Sequence, residues 1–322
     1  MSDISLKDFA YYKTGGSCEE LFQPRSLEEL SEKLKEISSR KQKFFVLGGG
    51  SNSLVLDDYY QGCVIHLDYF NELAVSDETE VAVGAAIENT ALSRFCFEQG
   101  LDGVGWMNRL PGKLGGTARM NARCYGGEIG LIVSEVTSVG LDGTIATHRI
   151  TNDRKIFRGY KDTLFMENGA IITGVKLGLK KAADLAALKK EMDHCESDRI
   201  AKGQFLKPSC GCVFKNDYSI GVPSGMLLDA ADVKILNTET VYVNPQHANF
   251  VFNNGATSTE ILNFTLAMRE RVFDEFGAWL SYEMEILGEP PQDLSIRLGE
   301  KRKNSLNHSK IKPLKDRFAS KL

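Results

Sequence analysis

Phe44-Phe45-Val46-Leu47-Gly48-Gly49-Gly50-Ser51-Asn52-Ser53 runs from a short apolar block straight into three consecutive glycines. The apolar block reads as a buried strand. Upstream, residues 27–37 (LEELSEKLKEI) have helical spacing, with Ser26 as N-cap and Glu29 three residues later to complete a capping box. Downstream, Val64-Ile65-His66-Leu67 is a second short strand. The result is a small β-α-β unit with a glycine loop at a strand end. Three glycines let the backbone take positive φ and come close to a ligand, and successive N–H groups can form a nest for phosphate oxygens. Ser51 and Asn52 add donors. Alone, the run fits a plain tight turn equally well. It is neither a GxGxxG fingerprint nor a Walker A loop, because no GK[ST] follows.

A second loop reads Pro111-Gly112-Lys113-Leu114-Gly115-Gly116-Thr117-Ala118-Arg119-Met120-Asn121-Ala122. A short helix is expected to start near Gly116, with its N-terminus suited to a pyrophosphate. Two such loops in one chain favour a dinucleotide spanning both. A third stretch, Pro208-Ser209-Cys210-Gly211-Cys212-Val213-Phe214-Lys215-Asn216, suits a thiol presented beside a polar ligand. Inert packing is the ordinary fate of a cysteine. Tyr160-Lys161-Asp162-Thr163 says little by itself. Glu283 opens a short strand, where surface exposure is the bland explanation.

The 322 residues suggest two or three domains. With 42% apolar and 25% charged residues, wholesale disorder is excluded. A net charge of −4 leaves no general footprint for nucleic acid or an anionic membrane. The first residues, Met1 to Leu6, show no secretory pattern, and no apolar run is long enough to span a bilayer, so a cytoplasmic protein is expected. Seven scattered cysteines without a Cys-x-x-Cys argue against a disulfide framework or a zinc site, and no metal is expected. Charge is uneven. Beyond Pro290-Pro291, residues 291–322 hold nine Lys/Arg against three acids, leaving −10 on the rest. A solvated, partly disordered basic tail is the expectation, with an acidic partner as the sharper alternative.

Residues 75–179 alternate short strands with turns, including a hairpin signal at Leu141-Asp142-Gly143-Thr144, and one helix over 89–99. Helices are expected over 182–200 and 258–276, and a last strand over 283–287. The pattern is α+β, in three units near 1–70, 71–180 and 181–279.

Taken in order, Thr14-Gly15-Gly16, LGGGSNSLVLDD (47–58), LPGKLGGTARMNA (110–122), GYKDTLF (159–165), PSCGCVFKN (208–216), HANFVFN (247–253) and LSYEMEILGE (280–289) resemble the UDP-N-acetylenolpyruvoylglucosamine reductase family, in its shorter form without a long insertion. The resemblance covers about residues 10–289. It implies a two-domain FAD module of the vanillyl-alcohol-oxidase (PCMH) type, plus a C-terminal α/β domain for a UDP-sugar. FAD-binding subdomain 1 would be 1–70, completed by 280–290. Subdomain 2 would be 71–180 and the substrate domain 181–279, with 290–322 as the basic tail.

The resemblance also implies roles. Gly48, Gly49, Gly50, Ser51, Asn52, Pro111, Gly112, Gly115, Gly116 and Asn121 would hold FAD. Tyr160, Lys161, Lys215 and Asn216 would bind UDP-N-acetylglucosamine enolpyruvate. NADPH would reduce the flavin, and flavin N5 would deliver hydride to the enolpyruvyl group, giving UDP-N-acetylmuramate for peptidoglycan. Glu283 and Lys161 would serve the enolate side, and Cys212 would donate the proton. The family usually has arginine at the place of Lys161 and serine at that of Cys212. Lysine keeps the charge but loses the planar fork, and a thiol remains a competent donor. Arg109 and Arg123 stand where glycine is usual, and Gly105 where an acid is usual. Two other readings keep this fold: a weakened FAD- and UDP-sugar-binding paralogue, and an FAD-dependent oxidoreductase acting on another substrate.

Overall fold

The helix expected over 27–37 forms as Leu27–Arg40, with the Ser26 hydroxyl accepting from the Glu29 N–H at 3.2 Å. The Glu29 carboxylate takes the Arg25 N–H at 2.7 Å, so the reciprocal bond of the box closes one residue earlier than expected. Leu30, Leu34 and Ile37 line its inner face and pack with Cys63 and Ile65. This is the period-3.6 pattern meeting a strand face. Phe44–Val46 and Tyr60–Ile65 follow as strands, paired in parallel with Phe45 opposite Val64.

A computed structural model describes residues 5–151 and 155–320. Residues 1–4, 152–154 and 321–322, which fall in the N-terminal reading, the 75–179 alternation and the basic tail, lie outside the described residues. The chain divides into two compact units, one made of Cys18–Gly49 and Gln61–Arg199, the other of Met1–Ser17, Gly50–Tyr60 and Ile200–Leu322.

The first of these holds a three-stranded sheet in the order Cys18–Phe22, Tyr60–Ile65, Phe44–Val46. It also holds a five-stranded sheet in the order Ile145–Arg149, Val133–Val139, Ile171–Gly178, Glu80–Gly84, Leu73–Asp77, antiparallel throughout. The expected hairpin turn at 141–144 joins two of these strands. Gly143 takes φ +80°, and the Asp142 carboxylate accepts the Thr144 N–H at 2.9 Å. Val81, Val136, Val175 and Leu177 alternate inward over Leu92, Met107 and Leu114. The helix expected over 182–200 runs from Leu185 to Ala201.

In the other unit, Ser53–Val55 pairs in parallel with Glu285–Leu287, so the chain just after the glycine run lies beside the last strand. Val241–Asn244 and His247–Asn253 form an antiparallel hairpin. Ser258–Phe276 is a helix with a full capping box between Thr257 and Glu260. Its inner face shares one core with Leu54, Phe214, Leu227 and Val251.

The tail departs from the sequence expectation. Residues 292–299 and 308–319 form the helices Gln292–Gly299 and His308–Ala319. Leu294 and Ile311, 2% and 1% exposed, join that same core. A basic composition hid the buried anchors Leu294 and Ile311, beside which Leu298, Leu306 and Leu314 pack partly against the same core. Ile311→Ala is expected to cost about 2–4 kcal/mol, because a fully buried side chain leaves a cavity. A thermal melt indistinguishable from that of the parent protein would contradict this docking.

Candidate functional site

The glycines of the two loops sort into two kinds. A Cβ on Gly49 would stand 3.1 Å from Gly112 Cα, and one on Gly115 would stand 2.8 Å from Ala85 Cβ. Gly50, at φ +64°, would collide with the Phe9 carbonyl oxygen. These three are bare because neighbouring protein atoms, backbone at Gly49 and Gly50 and Ala85 at Gly115, crowd them. Gly48 and Gly116 differ, since a Cβ on either meets nothing within 4 Å and neither has positive φ. Each therefore fronts room that a bound group can take. Gly49 lying against Gly112 also brings the two loops together, as a dinucleotide site requires. The residues present fit FAD on this ground.

The short helix begins at Leu114, not near Gly116, and the N–H groups of Leu114 and Gly115 donate to the Ile87 and Ala85 carbonyls. Those donors are thus engaged within the fold, which weakens the helix-terminus reading in favour of the open space at Gly116. Asn89, fully buried, fixes the loop. Its N–H donates to the Gly112 carbonyl at 3.1 Å, and its side-chain oxygen accepts from the Thr117 hydroxyl at 2.9 Å.

Three side chains brace the loops from beneath. His66, 4% exposed, bonds the Gly48 backbone and lies 3.1 Å from an Asp68 carboxylate oxygen. The other Asp68 oxygen takes the Lys113 ammonium of the second loop. Burial pushes the His66 imidazole below its usual value of 6.5, and the Lys113 charge pushes the same way; Asp68 pulls it up but is shared with Lys113. Folding therefore favours neutral His66. Its stabilising contribution is intact above pH 6.5 and is lost as pH falls below that value. His66→Gln is expected to flatten the fall in thermal midpoint between about pH 7.5 and about pH 5.5. A fall as steep as that of the parent protein would contradict the assignment.

Asn121 is fully buried at φ +45° and uses both ends of its amide. Its nitrogen donates to the Glu128 carboxylate at 2.7 Å and the Gly159 carbonyl at 2.9 Å, and its oxygen accepts the Gly130 N–H at 3.0 Å. The Thr163 hydroxyl donates to the Arg119 carbonyl at 2.6 Å. The hairpin of Phe157–Gly159 with Asp162–Thr163 is thus fastened to the 110–122 loop, and Tyr160-Lys161 form its tip. Lys161 sits at φ +52°, an uncommon value outside glycine. Its ammonium is 5.8 Å from the Tyr160 ring centroid, and the Arg123 guanidinium is 4.4 Å from the same ring. Arg123 thus stacks on a substrate candidate.

The remaining candidates belong to the other unit. There the 212–214 segment lies between the His247–Asn253 strand and the residues just before Glu285–Leu287. Cys212 bridges Phe250 on one side, and Phe214 bridges Tyr282 on the other. The Val213 N–H donates to the Asn249 carbonyl at 2.9 Å, and its carbonyl accepts the Glu283 N–H at 2.8 Å. Cys212 and Glu283 therefore lie on neighbouring segments, and because the last strand is Glu285–Leu287, Glu283 precedes that strand instead of opening it as expected. Asn52 of the glycine run donates its side-chain amide to the Glu283 carbonyl at 2.9 Å, and its backbone carbonyl accepts the Glu285 N–H at 2.9 Å, so it fastens the segment that carries Glu283. Asn216 accepts the Ser224 N–H at 2.9 Å where the Ser224–Ala230 helix begins. The Ser224 hydroxyl donates to the Lys215 carbonyl. Cys210 is buried beside Tyr12, and its thiol is pushed up to about 12, chiefly by burial and in part by the Glu283 charge. Cys212 is half-buried. Of the two neighbouring thiols, Cys210 is the packing residue.

Asn249, Asn89, His66 and Lys113 were not singled out from the sequence. Asn249 holds Phe214 from both sides, with bonds of 2.8 and 2.9 Å. A polar amide inside the apolar strand HANFVFN was the available signal, since asparagine is depleted in strands.

These glycine loops and their braces define a flavin-binding protein: residues 19–148 match the family model of an FAD binding domain. Residues 203–287 match the C-terminal domain of UDP-N-acetylenolpyruvoylglucosamine reductase. The chain belongs to the UDP-N-acetylenolpyruvoylglucosamine reductase family. The reductase of Treponema pallidum is 30% identical, over 94% of this chain and 96% of its own length. That of Clostridioides difficile is 31% identical, over 89% and 93%. The crystal structure of the Thermus caldophilus reductase (MurB) superposes with a TM-score of 0.73 at 28% identity, covering 89% of this chain and 98% of that one. The α+β flavin module expected from the sequence is thus present. Among the described residues, no helix is long and apolar enough to cross a membrane.

Proposed function

We infer that this chain reduces UDP-N-acetylglucosamine enolpyruvate to UDP-N-acetylmuramate in peptidoglycan precursor synthesis, with NADPH as reductant. The observation that carries this reading is the bond from the Glu283 N–H to the Val213 carbonyl, which sets the segments bearing a thiol and a carboxylate side by side. FAD, when bound, supplies the hydride that NADPH has delivered to it. Hydride and proton add across the carbon–carbon double bond, and no bond to the sugar breaks. Negative charge develops on the enolpyruvyl carboxylate side, where Lys161 is assigned to balance it as a cation and Glu283 to donate a hydrogen bond as the carboxylic acid. Cys212 is assigned to give its proton to the other carbon and to be reprotonated from solvent. Tyr160, Lys215 and Asn216 are assigned to the sugar nucleotide. Gly48, Gly116 and the segments around them are assigned to FAD. In domain terms, 1–70 with 280–290 and 71–180 would serve FAD, and 181–279 the UDP-sugar.

The test is NADPH consumption that depends on the enolpyruvyl sugar nucleotide. NADPH that reduces the flavin without any later oxidation by that substrate would support an oxidoreductase of the same fold with a different substrate. A protein that can neither be isolated yellow nor be reconstituted with FAD would sink both readings.

A further inference from the structure

Arg269 is an anomaly in the unit that carries Glu283. It lies on the Ser258–Phe276 helix and is 3% exposed, and the Glu270 and Glu300 charges near it offset its burial only in part. Its Nε is buried without a hydrogen-bond partner. Burial lowers its affinity for the proton. Burying a guanidinium this way is costly unless something specific is gained.

What it touches indicates the gain. Its guanidinium lies 4.2 Å from the Trp279 ring centroid and 5.1 Å from that of Tyr282, and one of its nitrogens donates to the Arg297 carbonyl at 2.7 Å. Arg297 sits in the last turn of the first tail helix. The tail grips the same segment elsewhere. Asn304 accepts the Trp279 N–H at 2.7 Å, the Trp279 indole donates to the Glu300 carbonyl at 3.1 Å, and the Ser305 N–H donates to the Gly277 carbonyl at 2.8 Å. Tyr282, in turn, lies 5.0 Å from Phe214 ring to ring, and its hydroxyl is 3.2 Å from that of Thr265. Tyr282 directly precedes Glu283, and Phe214 is two residues from Cys212. A chain of contacts therefore runs from the tail, through Arg269 and Tyr282, to the two segments that hold Glu283 and Cys212.

We propose that Arg269, held by the first C-terminal helix, is a positioning residue that sets the Glu283 segment against the Cys212 segment, and that the tail is thus a working part of the site. The tail lies beyond residue 287, where the match to the C-terminal family domain ends. A planar cation is needed because it must lie against two rings and still donate to a carbonyl, which an ammonium does less well. The proposal rests on the reductase reading above.

Removing the whole tail would also remove Leu294 and Ile311 from the core, so point variants are the better probe. In holoenzyme, Arg269→Lys and Tyr282→Leu are each expected to slow substrate oxidation of NADPH-reduced flavin by about 10-fold or more, the scale of small misplacements of reacting groups. KM for the sugar nucleotide and flavin reduction by NADPH should stay within about twofold. Tyr282→Phe, which keeps the ring, should retain the parent rate. Unchanged substrate oxidation in Arg269→Lys, even with a lower thermal midpoint, would overturn the proposal, as would equal slowing of both half-reactions. If the parent protein itself shows no substrate oxidation, the reductase reading fails first and takes the proposal with it.

Discussion

Cys212→Ala is expected to slow oxidation of reduced flavin by the enolpyruvyl substrate by about 10²–10⁴-fold, the usual yield of one positioned proton donor. Flavin reduction by NADPH should stay nearly unchanged, because that step needs no proton from this thiol. Cys212→Ser should keep most of the activity, since a hydroxyl also donates. The neighbouring thiol is the internal control. Cys210 is fully buried, with its thiol pushed up to about 12. Cys210→Ser should act through stability and slow neither half-reaction selectively. Equal damage to both half-reactions in Cys212→Ala, measured by anaerobic stopped-flow, would remove the proton-donor role.

Gly48→Val and Gly116→Val are expected to weaken FAD binding by about 100-fold or more, roughly 2.7 kcal/mol, with little change in the stability of the apoprotein. The reason is geometric: the new side chain enters space that the protein leaves open at both positions. Gly50→Val should do the reverse. It forces a β-branched residue to φ +64° and against the Phe9 carbonyl, so it should destabilise the fold itself, by about 2 kcal/mol or more. Flavin fluorescence titration beside apoprotein melting separates the two classes. Full FAD affinity in both Gly48→Val and Gly116→Val would show that the open space is not the flavin site.

Much of the first unit was legible because its signals are local. The helix at Leu27–Arg40, the strand running into Gly48 and the hairpin at Gly143 each follow from spacing or from one turn residue. The helix Ser258–Phe276 has the boundaries its periodicity gave. The division of labour among the glycines was not legible. Gly115 and Gly116 look alike in sequence, and only Ala85, thirty residues away in the chain, separates them. Nor was it legible that Asn121 and Asn52, assigned to FAD by resemblance, also bond within the fold, to the Glu128 carboxylate and Gly159 carbonyl and to the Glu283 carbonyl. The tail was misjudged for a related reason. Composition averages over residues, and docking here depends on Leu294, Ile311 and a carbonyl that receives Arg269.

The most direct test of the reductase assignment is a two-step anaerobic titration of the FAD-loaded protein. NADPH should bleach the flavin absorbance, and later addition of UDP-N-acetylglucosamine enolpyruvate should restore it with stoichiometric formation of UDP-N-acetylmuramate. A flavin that bleaches and then stays bleached in excess enolpyruvyl substrate would contradict the assignment.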